Sequence, residues 1–418
     1  MNQPQIFVNW AANYRYSAGR LHFPKTIEEL QELTRNCEKV KALGTRHSFN
    51  AIADTPGDHV SLAHFDEIVL DRQARTVTVG AGVNYGQLAP YLHRSGHALH
   101  NLASLPHIGV VGACATATHG SGVTNACLSS SVASLEFIDG RGELSRLSRG
   151  QQPFEGAVVG LGALGVVTSI TLDVLPAFTI GQAVYENLSF DRLENNLEQI
   201  FSSGYSVSVF TDWQDHRAAQ VWIKRREPAI FEAEFFGARL ATEKLHPLPG
   251  HPAENCTDQL GIPGAWHERL PHFRMEFTPS SGAELQSEYF VARENGYEAM
   301  LAIEELRDRI TPHLYVTELR AIAADGFWLS PFYKRATLGI HFTWKPDWAA
   351  VKALLPLIEE RLARFDVRPH WAKLFMMTPS YPKMAEFKRL VEHYDRQEKF
   401  RNAFLDANLY GPALRPLR

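Results

Sequence analysis

Cysteine is scarce in this chain: four residues in 418, at positions 37, 114, 127 and 256, with no C-x-x-C pair among them. That excludes a disulfide-stapled framework and a cysteine-built zinc site, and it fits a reducing, cytoplasmic setting. Long apolar runs are missing too; no stretch approaches the roughly 20 residues that a membrane helix needs. The opening MNQPQIFVNW lacks a basic n-region and an apolar h-region, so no secretory signal is expected. Neither sign of charge dominates, with 42 basic against 46 acidic residues and a net charge of −4. That balance argues against a nucleic-acid or membrane-surface partner. Internal repeats and low-complexity segments are absent as well.

The chain does hold enough apolar material (45% hydrophobic residues) to build a core without staples, and its length exceeds what one core usually organises. Two domains are therefore expected. The first third alternates short strands and helices. Thr26 and Glu29 have capping-box spacing ahead of Ile27, Leu30 and Leu33. Strands are expected at 40–43, 77–79, 135–138 and 166–175, the last as a buried strand, with a short helix at 87–93. From about residue 179 the texture changes to longer strands at 205–213, 220–226, 284–293, 314–323 and 337–344. Helices at 297–309 and 348–365 intervene, and a Pro- and Gly-rich stretch, 246–264, reads as a loop. This block is expected to form one antiparallel sheet backed by helices.

Two motifs are decoys. Gly160-Leu161-Gly162-Ala163-Leu164-Gly165 satisfies G-x-G-x-x-G but runs into the strand sequence beginning at Val166, where a dinucleotide fold needs a helix. A glycine turn is expected instead. His267-Glu268 and His272 miss the H-E-x-x-H spacing by one residue, and Pro271 breaks the helix that motif requires, so no metal centre is expected. Gly120-Ser121-Gly122 lacks the hydrolase elbow G-x-S-x-G.

Two further segments carry more. ALGTRHSFN, residues 42–50, ends a strand at Gly44, whose freedom at positive φ lets the N–H groups of Thr45, Arg46 and His47 form an anion-binding nest. GVVGACATATHGSG, residues 109–122, is nearly all small residues, which lets backbone approach a flat or phosphorylated ligand closely. Each also has a plain reading, as a turn histidine and as tight packing. Together they suggest a nucleotide-like cofactor in a fold other than Rossmann.

LGTRHSFN, LASLPHIGVVGACATATHGSG and GALGVVTSITLDV resemble the flavin-binding segments of the vanillyl-alcohol oxidase family. CTDQLGIPGAWHERLPHFRMEFTPSSGAELQSEYF, TELRAIAAD, HFTW and RPHWAKLF are similar to the bacterial alditol oxidases within it. The resemblance implies an α+β, two-domain, PCMH-type FAD-binding fold. The FAD-binding domain would be residues 1–178 plus 376–418, and an antiparallel-sheet substrate cap would be residues 179–375. It implies FAD as cofactor, with Leu43, Gly44, Thr45, Arg46, His47 and Ser48 at the pyrophosphate. Ser104, Gly109, Gly112, Thr116, Ala117, Thr118 and His119 would line the isoalloxazine, ribityl and phosphate path, and Val167 would lie beside the adenine. His47 matches the histidine joined covalently to the flavin 8α-methyl group, a bond that suits a neutral imidazole and raises the flavin potential. Gly109 departs from the family pattern, where a serine is expected.

Strand alternation supplies a second line of reasoning. Glu318 and Arg320 are two apart and share a face; so do His341 and Thr343, while Ile340, Phe342 and Trp344 take the other side as core. The polar pairs fit either a cavity wall or a half-solvated sheet face. The resemblance favours the wall, adding Lys373 and Ser104. It implies that Arg320 and Lys373 hold a terminal hydroxyl, that Glu318 accepts from the next one, and that Thr343 lies further along. His341 is the candidate proton acceptor, with a neutral Lys373, depressed by Arg320, as competitor. Small Ala103 beside Ser104 is compatible with oxygen access. The expected activity is oxidation of the terminal primary hydroxyl of alditols such as xylitol and sorbitol to the aldose. Oxygen would be the acceptor and hydrogen peroxide a product, in a cytoplasmic monomer. A sugar-lactone oxidase or dehydrogenase of the same family is the nearest alternative; a non-catalytic flavoprotein and an NAD-dependent dehydrogenase are more distant ones.

Overall fold

The computed structural model describes residues 8–276 and 284–411, so the outer parts of the expected FAD domain and the FTPSSGA part of the resembling segment lie outside the described residues. Three of the four sheets among the described residues organise it. A small parallel sheet joins Arg20–His22, Asp58–Val60 and Val40–Ala42. An antiparallel five-stranded sheet follows the order Ile68–Asp71, Thr76–Gly80, Val166–Asp173, Val132–Ile138, Leu144–Ser148. The third sheet is ten-stranded, antiparallel throughout, and spans Thr179–Ser189 to Arg368–Pro369. This is the α+β architecture expected, and the large sheet corresponds to the expected antiparallel block.

The local reasons are ordinary ones. Thr26 caps the helix Ile27–Asn36 by accepting from the Glu29 N–H, and Glu29 reaches back to the Lys25 N–H rather than to Thr26 itself. Asn84 and Gln87 form a full capping box at the head of Tyr85–Arg94. The strand expected at 166–175 is Val166–Asp173, and it is not buried on both sides. Val166, Thr168, Ile170 and Leu172 are buried, and the residues between them are half-buried. The GLGALG stretch is a turn, with Leu161 and Gly162 at φ of 53° and 63°, feeding that strand as expected. Helix Val110–Ala115 lies inside the small-residue run, which the sequence presented only as close backbone approach.

In the large sheet, Phe210, Glu318, His341 and Glu288 lie in one row across four adjacent strands. The opposite face carries Leu319, Ile340, Phe342 and Trp344, all fully buried, under the helices Phe190–Ser202, Gly296–Glu304 and Trp348–Leu362. The apolar backing is thus where alternation placed it. The C-terminal return packs on the first third of the chain. Asn402 donates to the carbonyls of Ala51, Ile52 and Asp54, and Val40 N–H donates to Lys399 O. Among the described residues, no helix is long and apolar enough to cross a membrane.

Candidate active site

A cavity of about 660 Å³ runs between the 42–50 turn, the small-residue segment and the polar face of the large sheet. Its walls include Leu43 through Ser48, Ser104, Gly109, Gly112, Thr116, Thr118, His119 and Val167. Glu318, Arg320, His341, Thr343 and Lys373 line the same cavity, with Arg320 reaching Ser104. Ala117 is the exception: fully buried, it does not line the cavity, and its φ of 54° turns the chain between Thr116 and Thr118.

The 42–50 turn differs from its expected construction. The positive φ falls on Arg46 (64°), not on Gly44. A Cβ at Gly44 or Gly112 would meet no atom within 4 Å, because both border open space rather than packed neighbours. Gly109, the departure from serine, donates its N–H to Thr45 Oγ1 at 3.0 Å, so that amide is occupied. His47 is half-buried, stacks on Trp10 with centroids 5.4 Å apart, and leaves its buried Nδ1 without a partner. Burial, with His107 beside it, pushes the ring down to about 4, so it is neutral near pH 7.

Asn50 ties this turn to the far side of the cavity. Its carboxamide donates to the carbonyls of Trp371 (2.8 Å) and Lys373 (2.7 Å) and accepts from Ile52 N–H, while Phe49 N–H donates to Ala372 O. The cofactor-side turn and the segment bearing Lys373 are therefore one hydrogen-bonded unit. Asn50→Ala removes all three side-chain bonds and strands two carbonyls; the expected cost is about 2–4 kcal/mol of stability, read as a lower Tm.

On the polar face the charges are arranged around two carboxylates. Glu318 Oε1 accepts from His272 Nε2 at 2.8 Å, and Arg320 Nε lies 3.6 Å from the same oxygen. Burial alone would raise the Glu318 carboxyl, but Arg320 and His272 hold it well below the usual carboxylate range. Lys224 donates to His272 Nδ1 at 3.3 Å, which leaves the ring proton on Nε2, facing Glu318. Glu288 Oε1 accepts from Arg320 Nη2 at 2.8 Å and its Oε2 from Lys373 Nζ at 2.7 Å. Arg320 Nη1 also reaches Ser104 Oγ at 3.4 Å.

Two expectations about the proton acceptor change in weight. His341 Nδ1 has Arg320 Nη2 and Lys373 Nζ each at 3.5 Å, and burial with the Lys373 charge pushes the ring down to about 4. Two cations at one nitrogen oppose its protonation. Lys373 is indeed depressed, but burial is the first cause and Arg320 a lesser one, and Glu288 pulls the other way. His119, Glu288 and His370 bring possible ligand atoms within 4.8 Å of one another. Yet Glu288 already serves two cations and His370 Nδ1 accepts from Ala372 N–H, so the donors are committed to hydrogen bonds.

Sequence reasoning missed Glu288, His272 and Lys224. Glu288 sits in an apolar strand, Leu285–Ala292, and only its register opposite His341 marks it. His272 was visible only as part of a failed metal motif.

Residues 19–148 match the family described as FAD binding domain, and residues 283–408 match that of D-arabinono-1,4-lactone oxidase. Alditol oxidase from a Streptomyces sp. is 47% identical over 413 residues, covering 96% of this chain and 99% of the relative. L-gulono-1,4-lactone dehydrogenase of Mycobacterium tuberculosis is 27% identical, covering 96% and 98%. The solved cholesterol oxidase from B. sterolicum superimposes with a TM-score of 0.77 at 13% identity, over 97% of this chain and 96% of that one, a likeness of fold. Xylooligosaccharide oxidase from Myceliophthora thermophila C1 gives 0.72 at 13% identity, over 94% and 92%. The open flanks of Gly44 and Gly112 and the unpartnered His47 nitrogen fit an FAD in this cavity. By its match across nearly its whole length, the chain belongs to the alditol oxidase family of FAD-binding oxidoreductases, within the vanillyl-alcohol oxidase fold.

Proposed function

We propose that the protein oxidises the terminal primary hydroxyl of alditols, xylitol and sorbitol among them, to the aldose, with oxygen as acceptor and hydrogen peroxide as product. The observation that carries this reading is the cavity wall of Glu318, Arg320, His341, Thr343 and Lys373. FAD, when bound, supplies the acceptor for the hydride of the alcohol carbon and passes the electrons to oxygen. Leu43 to Ser48, Gly112, Thr116, Thr118, His119 and Val167 would hold it, with Gly109 lining the same cavity, and His47 would be its covalent anchor.

The chain's own residues do the rest. Arg320 and Lys373 donate to the terminal hydroxyl, and Glu318, kept ionised and fixed by His272, accepts from the neighbouring one. Ser104 and Thr343 serve the remaining hydroxyls. A polyol suits such a wall because every hydroxyl both donates and accepts, and an apolar mimic would strand the buried partners. The hydroxyl proton passes to a neutral Lys373, which then accepts from the hydroxyl instead of donating to it; His341 is the weaker acceptor, because Arg320 and Lys373 face its Nδ1 and leave the ring proton on Nε2.

The test is initial-rate peroxide formation with xylitol, sorbitol, shorter alditols and aldono-1,4-lactones, in air and without oxygen. Alditols are expected to exceed lactones by at least about tenfold in kcat/KM, a difference of about 1.4 kcal/mol in the barrier. Preference for a lactone, or turnover only with an artificial acceptor, would replace this reading with the lactone or dehydrogenase alternative.

A further inference from the structure

Glu288 is the point on which the basic groups of the cavity converge. Its side chain is wholly buried, with Arg320 on one oxygen and Lys373 on the other. His119 Nε2 lies 3.2 Å from Oε1, on the segment that follows helix Val110–Ala115. The two cations differ in what else they have. Arg320 keeps Glu318 at 3.6 Å; Lys373 has no second carboxylate within 4.0 Å among the described residues.

We infer that Glu288 is a positioning residue of the reaction, one carboxylate that sets the spacing of Arg320 and Lys373 and the charge on Lys373. The inference rests on the alditol reading above. A rigid carboxylate with one donor on each oxygen fixes two long, flexible side chains at once, which is the kind of support a catalytic geometry needs. Around Lys373 stand Glu288 and Glu318, which favour its charged form, and Arg320, together with burial, which opposes it; the His341 and His370 rings face the same cluster. Removing the Glu288 charge takes away the nearest favourable group. Lys373 then loses its proton at lower pH.

The experiment uses flavin-loaded, full-length protein and anaerobic stopped-flow bleaching with xylitol across pH. Glu288→Gln is expected to lower the bleaching rate over the xylitol Kd by about 10²- to 10³-fold, the scale of one lost electrostatic support. The limb in which bleaching rises as Lys373 loses its proton is expected to move at least about one unit downward. Flavin content and visible spectrum stay as in the unaltered protein. Glu288→Asp keeps the charge but shortens the reach, so its limb stays near the unaltered position while its rate falls at least about tenfold. It carries the test alone if Glu288→Gln does not fold. An unshifted limb in Glu288→Gln, an equal shift in Glu288→Asp, or unaltered rates in Glu288→Asp would overturn the inference. Absence of bleaching by any alditol in the unaltered protein would defeat the functional reading itself. Bleaching of the unaltered protein with Glu288 variants indistinguishable from it would defeat only this inference.

Discussion

Acid precipitation of His47→Ala is expected to give a colourless pellet under a yellow supernatant, where the unaltered protein gives a yellow pellet. Under the proposed tether the effect is close to all-or-none, because a single covalent bond would decide it. His47 has the attributes such a bond needs. Its ring is neutral at working pH, with a pKa pushed down to about 4. One buried nitrogen has no partner in the fold, and the other flank of the ring is braced by Trp10 at 5.4 Å. A neutral imidazole nitrogen is a nucleophile; a protonated one is not. The rest of the cradle does not depend on His47, so the variant should still bind FAD by hydrogen bonds and burial, and bleach with xylitol at a reduced rate. Alanine also removes the stacking on Trp10, so His47→Phe is the companion variant: it keeps an aromatic ring but no nitrogen, and the same colourless pellet is expected. A yellow pellet from either variant would place the anchor elsewhere. A colourless pellet from the unaltered protein would mean that the cavity holds FAD without a tether.

Much of this site is legible in the sequence because it lies on regular elements. Alternation alone puts Glu318 with Arg320 and His341 with Thr343 on one face, and the structure brings all four to the same cavity. The turn at 42–50 is equally visible, although its strained position is Arg46 and not the glycine. Arg46 adopts it because tertiary bonds hold the turn: Trp10 N–H donates to Arg46 O, and Asn9 donates to Ser48 O. Such long-range partners have no local signal. The same applies to Glu288 and His272, which reach the cavity through strand register and a loop, respectively, and to Lys224, which stands behind His272 on the strand Arg217–Arg226. Helix Val110–Ala115 was hidden for a different reason. Its VVGACA sequence has no capping side chain and no polar face, so periodicity has nothing to register. The G-x-G-x-x-G run shows the converse. Its context excludes the dinucleotide role, yet Gly160, Gly162 and Gly165 still line the cavity as turn backbone.

Arg320→Ala is expected to lower kcat/KM for xylitol by about 10³- to 10⁴-fold, or roughly 4–5.5 kcal/mol of transition-state stabilisation. Among the described residues, the guanidinium is the one group that reaches both buried carboxylates and Ser104 while also facing the cavity. Its loss removes a hydroxyl donor and loosens Glu318 and Glu288 together. Stability falls as well, by about 3–5 kcal/mol, because a partner is taken from a buried ionic cluster. The pH dependence separates this from a general packing loss. In the unaltered protein both carboxyls are held well below the usual carboxylate range despite burial, Glu318 with Arg320 as its chief cause and Glu288 with Lys373 first and Arg320 after. A depressed carboxyl contributes stability above its unfolded pKa of about 4.3 and loses that contribution as pH falls through the folded value. The stability gap between Arg320→Ala and the unaltered protein should therefore be full at pH 7 and narrow steadily below about pH 4. Arg320→Lys keeps the charge but not the planar fork that reaches three partners, so it should recover most of the stability and little of the rate. A gap that stays constant down to pH 3, or an Arg320→Lys protein with near-unaltered kcat/KM, would remove Arg320 from the centre of this site.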